Sequence, residues 1–169
     1  MAIYIAPYDS QWPAEYAAEE ARIHAALDDL PIRLEHIGST AVPGLDAKPI
    51  IDILAGVPPR ADRAEYVAAL RQIGYEHKGA FGIPGRNYFR RGTPRSHQVH
   101  MVSWSSAFWR KQLAFRDALR ADSSLRQQYA TLKRDLARMF PYDVEKYASA
   151  KGPFIGAVLR EAVSEAGRS

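Results

Sequence analysis

The 169-residue sequence contains no cysteine, no apolar run of membrane-spanning length and no long block of lysine and arginine. The absence of cysteine excludes disulfides and thiolate zinc sites, and it fits a reducing compartment. No charged N-terminal region precedes an apolar run, so we expect a cytoplasmic protein without a membrane partner. The net charge of +4 is modest and, without a basic block, disfavours nucleic acid as the partner.

The length and the 47% hydrophobic content fit one domain with an apolar core. Apolar periodicity, turn residues and capping residues divide the chain into alternating elements. We predict helices over 12–30, 62–73, 105–120, 122–140 and 143–166, and strands over 32–37, 50–57, 75–78, 86–91 and 98–103. The predicted fold class is α/β (α+β), a mixed sheet with flanking helices (1–104) and a helical C-terminal subdomain (105–169) in one domain (1–169).

The segment 36–45 contains a Gly-Ser pair at the end of a predicted strand. Gly38 and Ser39 suit a turn that cradles a phosphate, because freed N–H groups at a helix start attract anions. Thr40 adds a hydroxyl, and Lys48 can meet a phosphate as a point charge. A lone Gly-Ser pair would mark only a strand-to-turn junction. Its place ahead of Lys48 and a strand with a carboxylate favours a phosphate site.

Asp52 stands alone in the apolar strand 50–57. A carboxylate in such a strand costs free energy unless a metal, a cation or hydrogen-bond donors satisfy it. One interpretation is structural, an acid paired with Lys48 or an arginine. The other is catalytic: Asp52 binds Mg²⁺ or Mn²⁺ that bridges to nucleotide phosphates, or it accepts the proton of an incoming hydroxyl. Both interpretations place cations near Asp52.

Three histidines are candidate partners of this carboxylate. The odd spacing of His97 and His100 predicts that they point to opposite faces of a sheet unless a bulge intervenes. His100 lies in an apolar run and is the preferred site member, while His36 precedes the Gly-Ser pair. Two imidazoles and one carboxylate suit Mn²⁺, Fe²⁺ or Zn²⁺ better than Mg²⁺. A histidine on an apolar strand is more often a hydrogen-bonded core residue, and this alternative stays open.

Arg86, Arg90, Arg91 and Arg95 fall within a segment of ten residues that contains no acid. A charge cluster of this kind is usually a solvated surface. Guanidinium groups also suit phosphate oxygens, and strand alternation places Arg86 and Arg90 on one face, near the histidine strand. We therefore predict Arg86 and Arg90 as phosphate ligands.

Two tyrosine–lysine pairs recur at a spacing of four residues, Tyr129 with Lys133 and Tyr147 with Lys151. Each pair lies on one helical face. The structural interpretation is a tyrosine ring in the core with the lysine stem along it. The functional interpretation is a cleft in which the ring stacks a base, and Lys133 and Lys151 neutralise phosphate.

Several motifs together resemble the GrpB family. They are HIGSTAVPGL (36–45), KPIIDI (48–53), SHQVHMV (96–102), FRDALR (115–120) and YATLK (129–133), with further agreement in 7–13 and 147–155. The resemblance covers nearly the whole chain. It implies a fold of the DNA polymerase β-like nucleotidyltransferase superfamily, and members of the family also occur fused to dephospho-CoA kinases.

The superfamily pattern places a Gly-Gly or Gly-Ser pair before a strand with two carboxylates two residues apart. This chain has the Gly-Ser pair and Asp52, but Ile50 and Leu54 occupy the positions two residues away. One carboxylate provides few of the oxygen ligands that a two-metal mechanism needs. Either the histidines complete the site or catalysis has been lost.

The leading hypothesis is a protein that binds a nucleotide or CoA-like phosphate ligand in a cleft between the Gly38–Asp52 region and the C-terminal helices. If active, it transfers a nucleotidyl group to a hydroxyl acceptor with a divalent metal. Asp52 and His100 are then catalytic, and the metal ligands come from Asp52, His100, His97 and His36. We expect little affinity for Mg²⁺ alone and a stronger response to Mn²⁺.

Two other hypotheses remain open. One is a catalytically degenerate module that binds a nucleotide or CoA, or docks a partner, which the missing second carboxylate favours. The weaker one is non-specific RNA binding, for which stacking aromatics between basic residues are sparse.

Overall fold

A five-stranded mixed sheet lies at the centre of the computed structural model, which describes residues 2–167. The strands are β1 (Arg33–Ile37), β2 (Ile51–Val57), β3 (Glu76–His77), β4 (Asn87–Arg91) and β5 (His97–Ser103). The helices are α1 (Trp12–Leu27), α2 (Arg63–Gln72), α3 (Ala107–Ala121), α4 (Ser123–Met139), α5 (Val144–Ala150) and α6 (Gly152–Ala166). None of these helices is long and apolar enough to cross a membrane.

The strands follow the spatial order β1-β2-β5-β4-β3. The central pair, β2 and β5, runs parallel, and the other neighbours are antiparallel. The register pairs Asp52 with Gln98 and Leu54 with His100. Because side chains alternate along a strand, all four of these side chains lie on the same face of the sheet. The two central strands therefore bring Asp52 and His100 side by side.

Helices α1 and α2 cover the opposite face. They bury Trp12, Ile23, Leu27, Tyr66 and Leu70 against the odd-numbered residues of β2 and β5. Each large apolar side chain that leaves water contributes about 1.5–3 kcal/mol to folding. This apolar layer holds the sheet and fixes which residues of β2 and β5 face the other side.

Helix α3 packs on the face that carries Asp52. Gly56 permits the close approach, because a Cβ at this position would lie 2.7 Å from the Trp109 ring. Ser106, and not Ser105, caps this helix, since its hydroxyl accepts a hydrogen bond from the N–H of Trp109. Helices α4 and α6 pack against α3, and α5 packs against α4 and α6.

The predicted α/β (α+β) fold class is confirmed, with a mixed sheet, flanking helices and an all-helical C-terminal part. Two predicted helix boundaries were wrong. Helix α1 ends at Leu27 because the chain leaves helical geometry at Asp28, which has a φ of 53°. The predicted helix 143–166 is two helices, since Pro153 has no N–H to continue the hydrogen bonds of α5. This break places Lys151 at the junction of α5 and α6.

Candidate functional site

A cavity of about 620 Å³ opens on the face of the sheet that carries Asp52. Its walls come from the turn after β1, from β2 and β5, and from helices α3 to α6. The cavity thus lies between the Gly38–Asp52 region and the C-terminal helices. The predicted site residues that line it are Gly38, Ser39, Thr40, Lys48, Asp52, His100, Lys133 and Lys151.

Gly38 brings the turn after β1 against Asp52. Its φ of 75° and ψ of −177° belong to a region that only glycine adopts readily. A Cβ at this position would lie 2.7 Å from Asp52 Oδ2. The turn continues into a short 3₁₀ segment, and the N–H groups of Ser39 and Thr40 have no protein acceptor within residues 2–167. These amides can therefore donate to a bound anion.

Asp52 is oriented by a chain of hydrogen bonds. His100 Nε2 lies 3.1 Å from Asp52 Oδ1, and Arg86 Nη1 lies 3.2 Å from His100 Nδ1. A guanidinium has only donors, so Nδ1 accepts, and the imidazole proton resides on Nε2 and is donated to Asp52. Arg86 is fixed in turn by the carbonyl groups of Ala80 and Phe81. Asp52 is thereby held in one orientation while its Oδ2 accepts no hydrogen bond from the described residues.

Three lysines, which we call the lysine trio, reach the cavity from separate parts of the chain: Lys48, Lys133 and Lys151. None of them forms an ion pair with a carboxylate in the part of the chain that the structure describes. The Nζ atoms of Lys48 and Lys151 lie 5.2 Å and 4.7 Å from the centre of the Tyr147 ring. The trio therefore concentrates positive charge in a cavity whose one carboxylate among the described residues, Asp52, forms no ion pair with any of the three lysines.

Lys133 is the most deeply buried member of the trio, with 2% of its surface exposed. Its Nζ donates to Ser39 Oγ at 2.8 Å and to the carbonyl oxygen of Asp46 at 2.6 Å. Both acceptors are neutral, so the ammonium charge is hydrogen-bonded but not neutralised. A buried charge in this condition is costly, and an anionic ligand would offset the cost.

The pKa values of the trio are depressed. Burial, reinforced by the charges of Lys151 and Lys48, lowers the pKa of Lys133 to about 7. Burial also lowers the pKa of Lys151 to about 8, with repulsion from Lys48 adding to the effect and Asp52 opposing it. The pKa of Lys48 is lowered by burial as well, and Asp52 again opposes the shift. Perturbed pKa values of this kind cluster at functional sites.

Two predicted metal ligands, His97 and His36, lie on the α1 face and do not line the cavity. Arg91 Nη2 lies 3.2 Å from His97 Nδ1. The His36 ring stacks on Tyr16 with a centre-to-centre distance of 4.7 Å, and its Nε2 lies 2.9 Å from Thr40 Oγ1. Burial lowers the pKa of His36 to about 4, so this ring is neutral at physiological pH. Its contact with Thr40 supports the turn from the α1 side. The structure does not bring either histidine together with Asp52.

Two predicted phosphate ligands, Arg86 and Arg90, also lie outside the cavity lining. The donors of Arg86 are directed at two carbonyl groups and at His100, as described above. Arg90 packs its guanidinium 5.5 Å from the centre of the Phe81 ring. Arg86 is thus placed to act through His100, whereas Arg90 pairs with Gln98 on the neighbouring strand and does not line the cavity.

The donors around Asp52 fit a divalent metal poorly. Across residues 2–167, no three histidine, cysteine, aspartate or glutamate side chains converge so as to hold a metal ion. His100 Nε2 carries the proton that it donates to Asp52, and a protonated nitrogen cannot coordinate. Lys48 and Lys151 would also repel a cation next to this carboxylate. The predicted Mg²⁺ or Mn²⁺ site therefore does not match the donors that are present.

The helical wall of the cavity contains residues that the sequence analysis missed. Phe108, Lys111, Phe115 and Leu119 line it from one side of α3. Their spacing of three to four residues is visible in the sequence and marks a single helical face. Such a face usually packs in a core, so only the position of α3 over the sheet identifies it as a cavity wall.

The sheet and the Gly-Ser turn beside Asp52 define a protein with a nucleotidyltransferase-like fold. The crystal structure of Cid1 poly(U) polymerase with MgGTP bound matches 79% of this chain and 44% of its own chain, with a TM-score of 0.56 and 17% identity. This similarity concerns the fold alone.

The chain belongs to the GrpB family. The sequence model of that family, described as GrpB protein, matches residues 2–161. UPF0157 protein PA4798 of Pseudomonas aeruginosa is 40% identical over 167 residues, which cover 96% of this chain and 68% of the relative. The crystal structure of conserved protein GrpB from Enterococcus faecalis matches with a TM-score of 0.85 and 34% identity, over 96% of this chain and 98% of that one. The family resemblance seen in the sequence is thus confirmed.

Proposed function

We propose that this protein binds a phosphorylated small molecule, a nucleotide or a CoA-like compound, in the cavity beside Asp52. The observation that carries the proposal is the lysine trio, whose ammonium groups have no carboxylate partner within residues 2–167. Phosphate groups supply the missing negative charge, with Lys48 and Lys151 acting as point charges. The N–H groups next to Gly38 add directional donors.

The apolar part of the cavity supports a ligand that is larger than a phosphate. Phe108 and Phe115 line it from α3, and Ile155 and Leu159 line it from α6. Ligand pockets of a few hundred cubic ångströms commonly combine apolar walls with a few convergent polar groups. A nucleobase or the pantetheine arm of a CoA-like compound would bury its apolar surface against these side chains.

Calorimetric titrations with the four ribonucleoside triphosphates, CoA and dephospho-CoA test the proposal. We expect at least one of them to bind, and Lys48→Gln to weaken its binding about tenfold, the loss of one charge-assisted hydrogen bond. Lys146→Gln is the matched control, because the Lys146 side chain is 68% exposed and pairs with Asp143 outside the cavity. Absence of binding by all of these compounds would contradict the proposal.

Nucleotidyl transfer to a hydroxyl acceptor is the second candidate function, and the orientation of Asp52 favours it. His100 holds Oδ1, which leaves Oδ2 able to take the proton of an acceptor hydroxyl. The acceptor oxygen would attack the α-phosphorus of a nucleoside triphosphate, and pyrophosphate would leave toward the lysine trio. Release of pyrophosphate by the wild type, lost in Asp52→Asn with ligand binding intact, is the expected result. Binding without any release favours the alternative of a degenerate binding or docking module.

A further inference from the structure

We infer that the lysine trio takes the place of a divalent metal, so that the cavity binds a diphosphate or triphosphate group as the metal-free anion. This inference rests on the proposed function, because it concerns how the same cavity holds phosphate. It names the ligand class more narrowly, as two or three linked phosphates, and it reverses the expectation that a metal assists binding.

Few side chains that could bind a metal line the cavity. Asp52 is the one carboxylate among the described residues that line the cavity. Its Oδ1 accepts a hydrogen bond from His100 Nε2 at 3.1 Å, and its Oδ2 lies against the backbone of Gly38. A metal there would have a single free carboxylate oxygen, whereas Mg²⁺ prefers an octahedral set of oxygen ligands. The protein offers too few donors to position an ion.

Two lysine side chains already lie near this carboxylate. Lys48 and Lys151 both lie close enough to Asp52 to interact with its charge. The carboxylate raises the pKa of each lysine, but burial lowers it by more. Their ammonium groups also approach the same Tyr147 ring. A divalent ion at Asp52 would stand next to two like charges, which is unfavourable in a partly buried site. The positions next to Asp52 thus already hold fixed positive charge.

The lysines reach the cavity from different directions, which favours a ligand with more than one phosphate. Lys133 approaches from α4, on the side of Ser39, while Lys151 approaches from the junction of α5 and α6. Ammonium groups from separate elements can contact separate phosphates of a chain, whereas one phosphate would leave part of the charge unmatched. A metal-free polyphosphate carries more negative charge than its Mg²⁺ complex, so such a site gains more from the free anion.

Titrations of the full chain with ATP and with inorganic tripolyphosphate, each in excess EDTA and in millimolar MgCl₂, test this inference. We expect at least one of the two probes to bind in EDTA, and MgCl₂ to weaken its binding or leave it unchanged. Lys151→Gln should weaken binding in EDTA about tenfold, with Lys48→Gln as a second variant in case the first is unstable. Lys146→Gln, on the exposed side of α5, should bind like the wild type.

Binding of either probe only with Mg²⁺, or tightened about tenfold or more by Mg²⁺, overturns the inference and leaves the proposed function standing. Failure of both probes in both conditions also overturns it. The proposed function is then judged separately, by whether CoA, dephospho-CoA or another nucleotide binds the same protein. An equal loss of affinity in Lys146→Gln and Lys151→Gln would likewise overturn it, because the effect would then reflect net charge alone.

Discussion

The two faces of the sheet differ in whether a buried charged side chain has a partner of opposite charge. On the α1 face, the carboxylate of Glu19 accepts hydrogen bonds from Tyr75 at 2.9 Å, Arg22 at 3.2 Å and Arg91 at 2.8 Å. On the cavity face, Lys133 is as deeply buried as Glu19, but it donates only to neutral oxygens. On the α1 face the charge of Glu19 is neutralised within the protein. On the cavity face the charge of Lys133 is not neutralised by any described residue.

The pKa values express the same difference. Burial raises the pKa of Glu19, but hydrogen bonds from Arg22 and Tyr75 and the charge of Arg91 outweigh it, so the net shift is downward. Burial lowers the pKa of Lys133, and neighbouring lysines add to the shift. Removing one partner of a buried, paired charge destabilises the fold, whereas a buried charge without a partner in a cavity favours a ligand of opposite sign.

Glu19→Gln should have the largest effect on stability. The change leaves the arginines around position 19 without their carboxylate, and we expect the free energy of unfolding to fall by about 2–4 kcal/mol. Urea denaturation measures this loss, and Glu15→Gln, at an exposed position of α1, serves as the control. Ligand binding by the folded protein should not change. A loss as small as that of the control would show that this network does not hold the fold.

Gly38→Ala should reduce both stability and binding. The φ and ψ of Gly38 cost a residue with a side chain about 1–3 kcal/mol, and the added Cβ would displace the Asp52 carboxylate. Gly44→Ala separates the two effects, because Gly44 has a φ of 81° but no atom within 4 Å of an added Cβ. Urea denaturation should show a loss for both variants, and calorimetry with tripolyphosphate a loss for Gly38→Ala alone. Unchanged binding in Gly38→Ala would contradict the role assigned to the turn.

Part of the candidate site could be predicted from the sequence. Alternation along one strand was enough to predict that His97 and His100 point to opposite faces, and the Gly-Ser motif located the turn. The convergence of the lysine trio depends on how α4, α5 and α6 pack, and no local pattern encodes that packing. Lys151 in particular reaches the cavity at a helix junction that Pro153 creates, where periodicity predicted an unbroken helix.

Hydrogen-bond partners could not be predicted at all. Arg86 was predicted to bind phosphate because it belongs to a basic cluster, yet the structure directs it at His100. His36 was predicted as a metal ligand, but its ring stacks on Tyr16 on the opposite face. Residue type indicates which chemistry a side chain can perform, whereas the partner that it meets is set by tertiary packing.

Binding of tripolyphosphate should weaken as the pH rises from about 6 to 9. The unliganded pKa values of Lys133, about 7, and Lys151, about 8, mean that both lose protons in this range. A phosphate ligand favours the ammonium forms, so binding takes up protons, and affinity falls by at most about tenfold per pH unit for each proton. Other charged or titratable groups also influence this cluster. Asp52 raises the pKa of Lys48 and of Lys151, and Arg95 lowers the pKa of Lys48. Lys48 lowers the pKa of Lys133 and of Lys151, and Tyr147 acts on Tyr129 beside them.

Calorimetry in two buffers of different ionisation enthalpy measures this proton uptake directly. We expect a positive uptake near pH 8 that shrinks toward pH 6, where both lysines are already charged. The terminal phosphates of the ligand release protons in the same range, so the uptake by the lysines is the difference between the wild type and Lys151→Gln. A net proton exchange that is identical in the two proteins would mean that Lys151 does not sense the ligand.

The most direct test of the account is Lys133→Met, followed by both urea denaturation and tripolyphosphate titration at pH 6. Below pH 7 the wild type carries the full penalty of burying this charge, because Lys133 is protonated in the folded and unfolded states alike. We predict that stability is unchanged or rises by about 1 kcal/mol, while affinity falls about tenfold or more. A variant that loses stability but binds as tightly as the wild type would contradict the claim that this charge is there for a ligand.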